Sequence, residues 1–259
     1  MSVGVAYEKA RAEGRAALVG YLPAGFPTVA GGIGAVTAMI EAGVDLVEIG
    51  LPYSDPVMDG PVIQRATETA LAGGVRTRDV LATVEATSGL GVPVLVMTYW
   101  NPVERYGVDA FARDLAAAGG AGLITPDLIP DEADEWLAAS DAHQLDRIFL
   151  VSPSSTDERI AMTVGHCRGF VYATAVMGVT GARDNTSSAA PTLVDRIKRV
   201  SGSLPIGVGL GVRNGAQAAE VGAYADGVIV GSALVSALAD GGTPALRTLV
   251  TDLRTGLSA

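Results

Sequence analysis

Residues 30–61 read AGGIGAVTAMIEAGVDLVEIGLPYSDPVMDGP, and they hold one complete helix–strand–loop unit. From Ala30 to Ala42, small and aliphatic residues recur at helical spacing. Gly43 punctuates the helix. Val44–Ile49 is short, apolar and β-branched, as a strand covered on both faces of a parallel sheet must be. Strand alternation sets Val44, Leu46 and Glu48 on one face, and Asp45, Val47 and Ile49 on the other. The strand then runs into an irregular stretch, Leu51–Pro61, rich in proline and aspartate.

Outward from this unit the same pattern repeats. Strands are expected at Ala17–Leu22, Val44–Ile49, Val92–Thr98, Gly122–Thr125, Arg147–Val151, Phe170–Thr174, Pro205–Val208 and Gly227–Val230. Helical spacing fills the intervals, as at Asp109–Ala118, Asp131–Ala142, Asp157–Gly165 and Gly215–Val221, often behind a Ser, Thr or Asp that can cap free N–H groups. Strict alternation implies a parallel sheet with right-handed crossovers. Eight units imply closure into a single (β/α)₈ (TIM) barrel over residues 1–259, with an extra N-terminal helix at Val5–Glu13. An open doubly wound sheet is the rival. GYLPAGFPT follows the first strand where a dinucleotide-binding fold needs GxGxxG, which weakens it.

A chain of 259 residues with 49% hydrophobic content can bury a core without staples. The net charge of −10 repels nucleic acid and anionic membranes, so neither is an expected partner. An anionic substrate would then need a local cradle of backbone N–H groups. Cys167 is the single cysteine, which fits a reducing compartment, and the charged N-terminus shows no secretory h-region, so a cytoplasmic location is expected.

The chemistry is narrowed by what is missing. The only lysines, Lys9 and Lys198, fall on helices, so no Schiff-base candidate stands at a strand end. His143 and His166 fall late in helices, away from the strand C-terminal ends where such barrels act. No His, Cys or carboxylate cluster has metal-ligand spacing. Acid–base work is left to carboxylates, tyrosines or water. Glu48, near the end of an apolar strand, either points into the barrel mouth with a raised pKa or makes a structural ion pair. In LPYSDPVMDGP, Asp55 and Asp59 either shape turns or, for Asp59, reach back beside Glu48. Glycine-bearing stretches follow strands six, seven and eight: GVTGAR (178–183), GVGLGV (207–212) and VGSAL (230–234). Together they suggest a phosphate cradle, with Ser232 as N-cap of a short helix. Tyr99, Asp127 and Tyr172 also stand at strand ends; each can position a ligand or brace a loop.

These motifs resemble one family. LVEIGLPYSDPVMDGP closely resembles the signature of the tryptophan synthase alpha subunit, and the likeness continues through GYLPAGFP, MTYWNP, TPDL, VYATAVMGVTGAR, VGLGV and IVGSAL. The resemblance implies a lyase that cleaves indole-3-glycerol phosphate to indole and glyceraldehyde 3-phosphate in tryptophan biosynthesis. It implies a pyridoxal-phosphate-dependent beta subunit as partner in an alpha2beta2 heterotetramer, and no cofactor in this chain. Carried over by motif, Glu48 is the general acid/base, Asp59 the partner of the indole nitrogen, and Tyr172 lies near the reacting centre. Tyr21, Tyr99 and Asp127 would line the indole pocket, with Thr180 touching Asp59 from a mobile loop at 178–191. Gly181, Leu210, Gly211, Gly231 and Ser232 would hold the phosphate. Pro52, Asp55, Asn101 and Pro102 would border the beta subunit. Departures from the family pattern at ATAVM (173–177), Ile129 and Val62 touch neither carboxylate. Alternatives are another phosphate-binding barrel enzyme, a non-catalytic barrel partner, or a stand-alone indole-releasing lyase.

Overall fold

A computed structural model of the chain describes residues 2–174 and 189–258. Its strands are β1 (Ala17–Pro23), β2 (Leu46–Gly50), β3 (Val94–Met97), β4 (Gly122–Ile124), β5 (Asp146–Ile148), β6 (Leu150–Val151), β7 (Val171–Thr174), β8 (Ile206–Gly209) and β9 (Gly227–Val230). Neighbours pair in parallel in the order β5-β4-β3-β2-β1-β9-β8-β7-β6. The two ends of that order are separated in the chain only by Phe149, so the polypeptide itself closes the ring.

The expected fifth strand, Arg147–Val151, is therefore one barrel strand in two pieces. Its first half pairs with β4 and its second with β7. Phe149 stays in the ladder, its carbonyl accepting the Tyr172 N–H at 3.1 Å. A strand at the closing point must serve two neighbours that twist apart, and the interruption absorbs the difference.

Two cores result. The inner one gathers Ala17, Val19, Leu46, Leu95, Ile124, Ile148 and Ile229 from six of the strands, with Phe170 from just before β7. The helix Val3–Ala12 plugs its lower end with Val3, Tyr7 and Ala10, and the Val3 N–H donates to Asp146 at 3.1 Å. The outer core lies between strands and helices, and takes the opposite faces, such as Val47 and Ile49. Alternation thus holds across β2, but Val44, expected on the face of Leu46 and Glu48, packs in the outer core with Val47 and Ile49, because the strand begins only at Leu46.

The two acidic residues of that strand region diverge sharply. Asp45 is gripped by the Arg15 guanidinium through contacts of 2.6 and 2.7 Å and accepts the Leu18 N–H at 2.8 Å. It is a structural ion pair. Glu48 has no such partner.

The expected helices form with ends shifted by one to three residues, as at Val29–Ala42, Val108–Ala117, Asp134–Ala142, Asp157–His166 and Gly215–Gly222. Thr28, Thr156 and Asn214 cap three helices by accepting N–H groups three residues on. The expected 178–191 loop falls mostly outside the described residues. From Ala189 it is already the helix Ala189–Ser201, because 189–201 carries an apolar stripe of Ala190, Leu193, Val194 and Ile197 that buries on the barrel. Among the described residues no helix is long and apolar enough to cross a membrane.

Candidate active site

A cavity opens at the strand C-terminal ends, where parallel barrels present their loops. Glu48 and Tyr21 reach it from β2 and β1, where they are register partners. Tyr172 and Gly209 enter from β7 and β8, Asp59 from the loop after β2, and Tyr99 from the turn after β3. Leu210, Gly211, Gly231 and Ser232 complete one side. Among the described residues no Lys, Arg or His lines the cavity.

Glu48 is 1% exposed, and its Oε1 has no hydrogen-bond partner among the described residues. Burial in an apolar strand disfavours the charged form and pushes its pKa up to about 8. The side chain is therefore a neutral acid near pH 7, able to give a proton. Asp59 is half-buried, and desolvation raises its pKa too. Its environment differs, because the Tyr99 hydroxyl donates to Oδ1 at 3.0 Å and so favours the ionised form. Tyr99 in turn accepts the Met58 N–H at 3.0 Å, and Gln64 Nε2 donates to the Asp59 carbonyl at 2.8 Å. The loop that carries Asp59 is thus tied to β3 on one side and to the helix Pro61–Ala72 on the other. Two carboxylates share one cavity, both raised by desolvation, but only Asp59 has a hydrogen bond that opposes the rise, so the two can divide the acid and base roles.

The opposite side is built of backbone. Gly211 has φ of +74°, a left-handed conformation that L side chains rarely adopt. The helix Ser232–Leu257 begins at the cavity, and its first-turn N–H groups have no intrahelical acceptors. Such a terminus favours an anion. Ser232 is the first helical residue, and Gly231 occupies the N-cap, so the expected N-cap role of Ser232 is corrected. The segment Ser232–Leu257 is two helices in succession, the first ending at the break at Gly242, where φ is +64° and ψ is −162°.

The glycine run GVGLGV is not all loop. Gly207 and Gly209 lie within β8. A Cβ on Gly209 would meet the Tyr172 hydroxyl at 2.4 Å, and one on Gly207 would meet the Phe170 ring at 2.9 Å. These two glycines make room for aromatic rings inside the barrel, which left only Leu210–Val212 for the loop.

Two expected residues sit elsewhere. Asp127 is exposed and does not line the cavity; it accepts the Trp100 N–H at 2.9 Å and braces the start of the helix Trp100–Tyr106. Partial desolvation of its carboxylate raises its pKa, against the hydrogen bond from the Trp100 N–H. Pro52 is buried within the chain, so it offers no outer surface, whereas Asp55 and Asn101 are exposed and Pro102 partly so. Thr180 and Gly181 lie outside the described residues. Several lining residues escaped the sequence reading. Thr174 follows Tyr172 by two along β7 and Leu150 is its register partner, so strand alternation alone would have found both. Met58, Ile63 and Pro126 carried no such signal.

Comparison with known proteins places the chain in a family. Residues 7–254 match the family model described as tryptophan synthase alpha chain. The chain is 68% identical over 260 residues to the tryptophan synthase alpha chain of Salinispora arenicola, covering 98% of this chain and 97% of that one. It is 65% identical over 255 residues to that of Mycobacterium intracellulare, covering 98% and 94%. Among solved structures, tryptophan synthase of Mycobacterium tuberculosis superposes with a TM-score of 0.95 at 64% identity, covering 99% and 98% of the two chains. The chain belongs to the tryptophan synthase alpha chain family, the lyase that cleaves indole-3-glycerol phosphate.

Proposed function

We propose that this lyase works by carboxylate acid–base catalysis, with Glu48 as the proton shuttle and Asp59 as the anchor of the indole nitrogen. Neutral Glu48 protonates C3 of the indole ring. The ring becomes an indolenine, an internal electron sink, so the bond between C3 and the glycerol carbon can break. The Glu48 carboxylate takes the proton of the adjacent glycerol hydroxyl, which becomes the aldehyde of glyceraldehyde 3-phosphate. Indole leaves, and Glu48 is again protonated. Ionised Asp59 accepts the indole N–H and stabilises the positive charge that develops on the ring. Tyr172 lies beside the reacting carbons, and Tyr21 and Tyr99 flank the ring. The backbone at Leu210 and Gly211 and the helix start at Gly231 and Ser232 hold the phosphate, with Gly181 and Thr180 assigned to the same substrate from the 178–191 segment.

The observation that carries this reading is the pairing, in one cavity, of an unpartnered buried Glu48 with an Asp59 held by a tyrosine O–H. Pyridoxal phosphate belongs to the family's beta subunit, and no cofactor is indicated for the alpha chain. The chain's partner is that beta subunit, in an alpha2beta2 heterotetramer, docked on the rim that bears Asp55, Asn101 and Pro102. The chain is one domain over residues 1–259 and works in the cytoplasm. Indole release from indole-3-glycerol phosphate, with and without added beta subunit, tests the reading. Release that is faster with the partner supports the coupled subunit; equal rates point to a stand-alone indole-releasing lyase; no release overturns it.

A further inference from the structure

The Tyr21 hydroxyl is not explained by a role as an apolar wall. Tyr21 is 8% exposed and lines the cavity. A Cβ built on Gly50 would lie 2.2 Å from its phenolic oxygen. Gly50 follows Glu48 by two residues on β2, and so shares its inward face. It is also the last residue before the loop that carries Asp59. The hydroxyl therefore stands above Glu48, at the foot of the Asp59 loop. It makes no hydrogen bond to another described side chain. The charges that act on it are those of Asp59 first and Glu48 second, followed by the phenols of Tyr99 and Tyr172.

An indole ring filling the cavity would expel the water that can satisfy this O–H. A buried donor without an acceptor is unfavourable, so the hydroxyl must turn to a group on the cavity wall. Among the described residues the other titratable groups facing the cavity are Glu48 from β2, Asp59 from the loop, Tyr99 from the turn after β3, and Tyr172 from β7. Protonated Glu48 is a weak acceptor. Tyr99 already spends its O–H on Asp59 Oδ1. Among the described titratable side chains the remaining strong acceptor is the Asp59 carboxylate.

We propose that in the loaded site Tyr21 is a positioning residue whose hydroxyl donates to Asp59, a second tyrosine on that carboxylate, and so holds Asp59 ionised beside a protonated Glu48. The proposal rests on the roles given above to Glu48 and Asp59. Tyr21→Phe keeps the ring and removes only the donor. The experiment measures kcat/KM for indole release across pH in the complex with the beta subunit, and indole binding over the same range as a readout that needs no turnover. The active form requires Asp59 ionised and Glu48 neutral, so Asp59 sets the acid limb and Glu48 the basic limb. Losing a donor to Asp59 moves the acid limb up by about one pH unit and leaves the basic limb in place. A uniform loss at all pH values, or a shift of the basic limb instead, overturns the proposal. Asp59→Asn separates the two levels. If it abolishes the acid limb while Tyr21→Phe leaves that limb unmoved, only the Tyr21 proposal falls. If the acid limb survives in Asp59→Asn, the Asp59 assignment falls and the Tyr21 role with it.

Discussion

The Tyr99 hydroxyl donates to Oδ1 of Asp59 at 3.0 Å while accepting the Met58 N–H at the same distance. One side chain thus both orients the carboxylate and fixes the backbone beside it. Tyr99→Phe removes both bonds. A hydrogen bond to a charged group contributes about 1.5–3 kcal/mol, so kcat/KM for indole release should fall roughly 10- to 100-fold. Steady-state indole release reads this directly, and a change of less than about twofold would remove Asp59 orientation from the account.

Glu48 makes activity sensitive to alkali. Its pKa is raised by burial to about 8, and the proposed mechanism starts from the neutral acid. Turnover should therefore fall as pH rises through about 8. In Glu48→Gln the donor is gone, and turnover should drop at least about 10²-fold. The variant should still bind substrate, which calorimetry can check.

The same burial has a stability consequence of opposite sign for that variant. The folded-state pKa of Glu48 lies above the unfolded value of 4.5. The stability of the neutral buried form is complete below pH 4.5 and is lost progressively as pH rises to about 8. That interval corresponds to on the order of 5 kcal/mol. Glu48→Gln should thus unfold at a higher temperature than the parent at pH 8–9, with little difference near pH 4.5. Melting curves at the two pH values test it; a variant less stable at both would contradict the buried neutral acid.

Asp127 braces the helix Trp100–Tyr106 through the Trp100 N–H. Asp127→Ala should lower stability by about 1 kcal/mol, as the loss of a helix cap does. KM should change little. A large rise in KM at unchanged stability would return Asp127 to the substrate pocket.

Asp45 holds a buried guanidinium. The Arg15 side chain is 2% exposed, and Asp45 supplies two of its contacts. Asp45→Ala leaves the guanidinium only the more exposed Glu13 carboxylate as a partner and should cost about 1.5–3 kcal/mol. Chemical denaturation measures it. The activity of the molecules that remain folded should be near the parent's, since Asp45 faces away from the cavity.

What the sequence by itself determined follows from local periodicity. The repeating 3.6- and 2-residue patterns are properties of consecutive residues, so the alternating strands and helices, the closed barrel and the shared face of Leu46 and Glu48 were legible in the sequence, while which way that face turned was not. The motifs also identified the family. The sequence left open what depends on residues distant in the chain meeting in space. Asp45, just before β2, and Glu48, within it, are three residues apart, yet only Arg15, some thirty residues back, makes the first structural, and only the lack of any such partner leaves the second a neutral acid. Asp127 looked like a pocket residue until Trp100 took its carboxylate, and Pro52 like a surface residue until the fold covered it. Gly207 and Gly209 read as phosphate loop, but the rings they admit come from Phe170 and Tyr172 on the neighbouring strand. A side chain's charge state and partners are set by desolvation and contact across the barrel, and those terms exist only once the ring has closed.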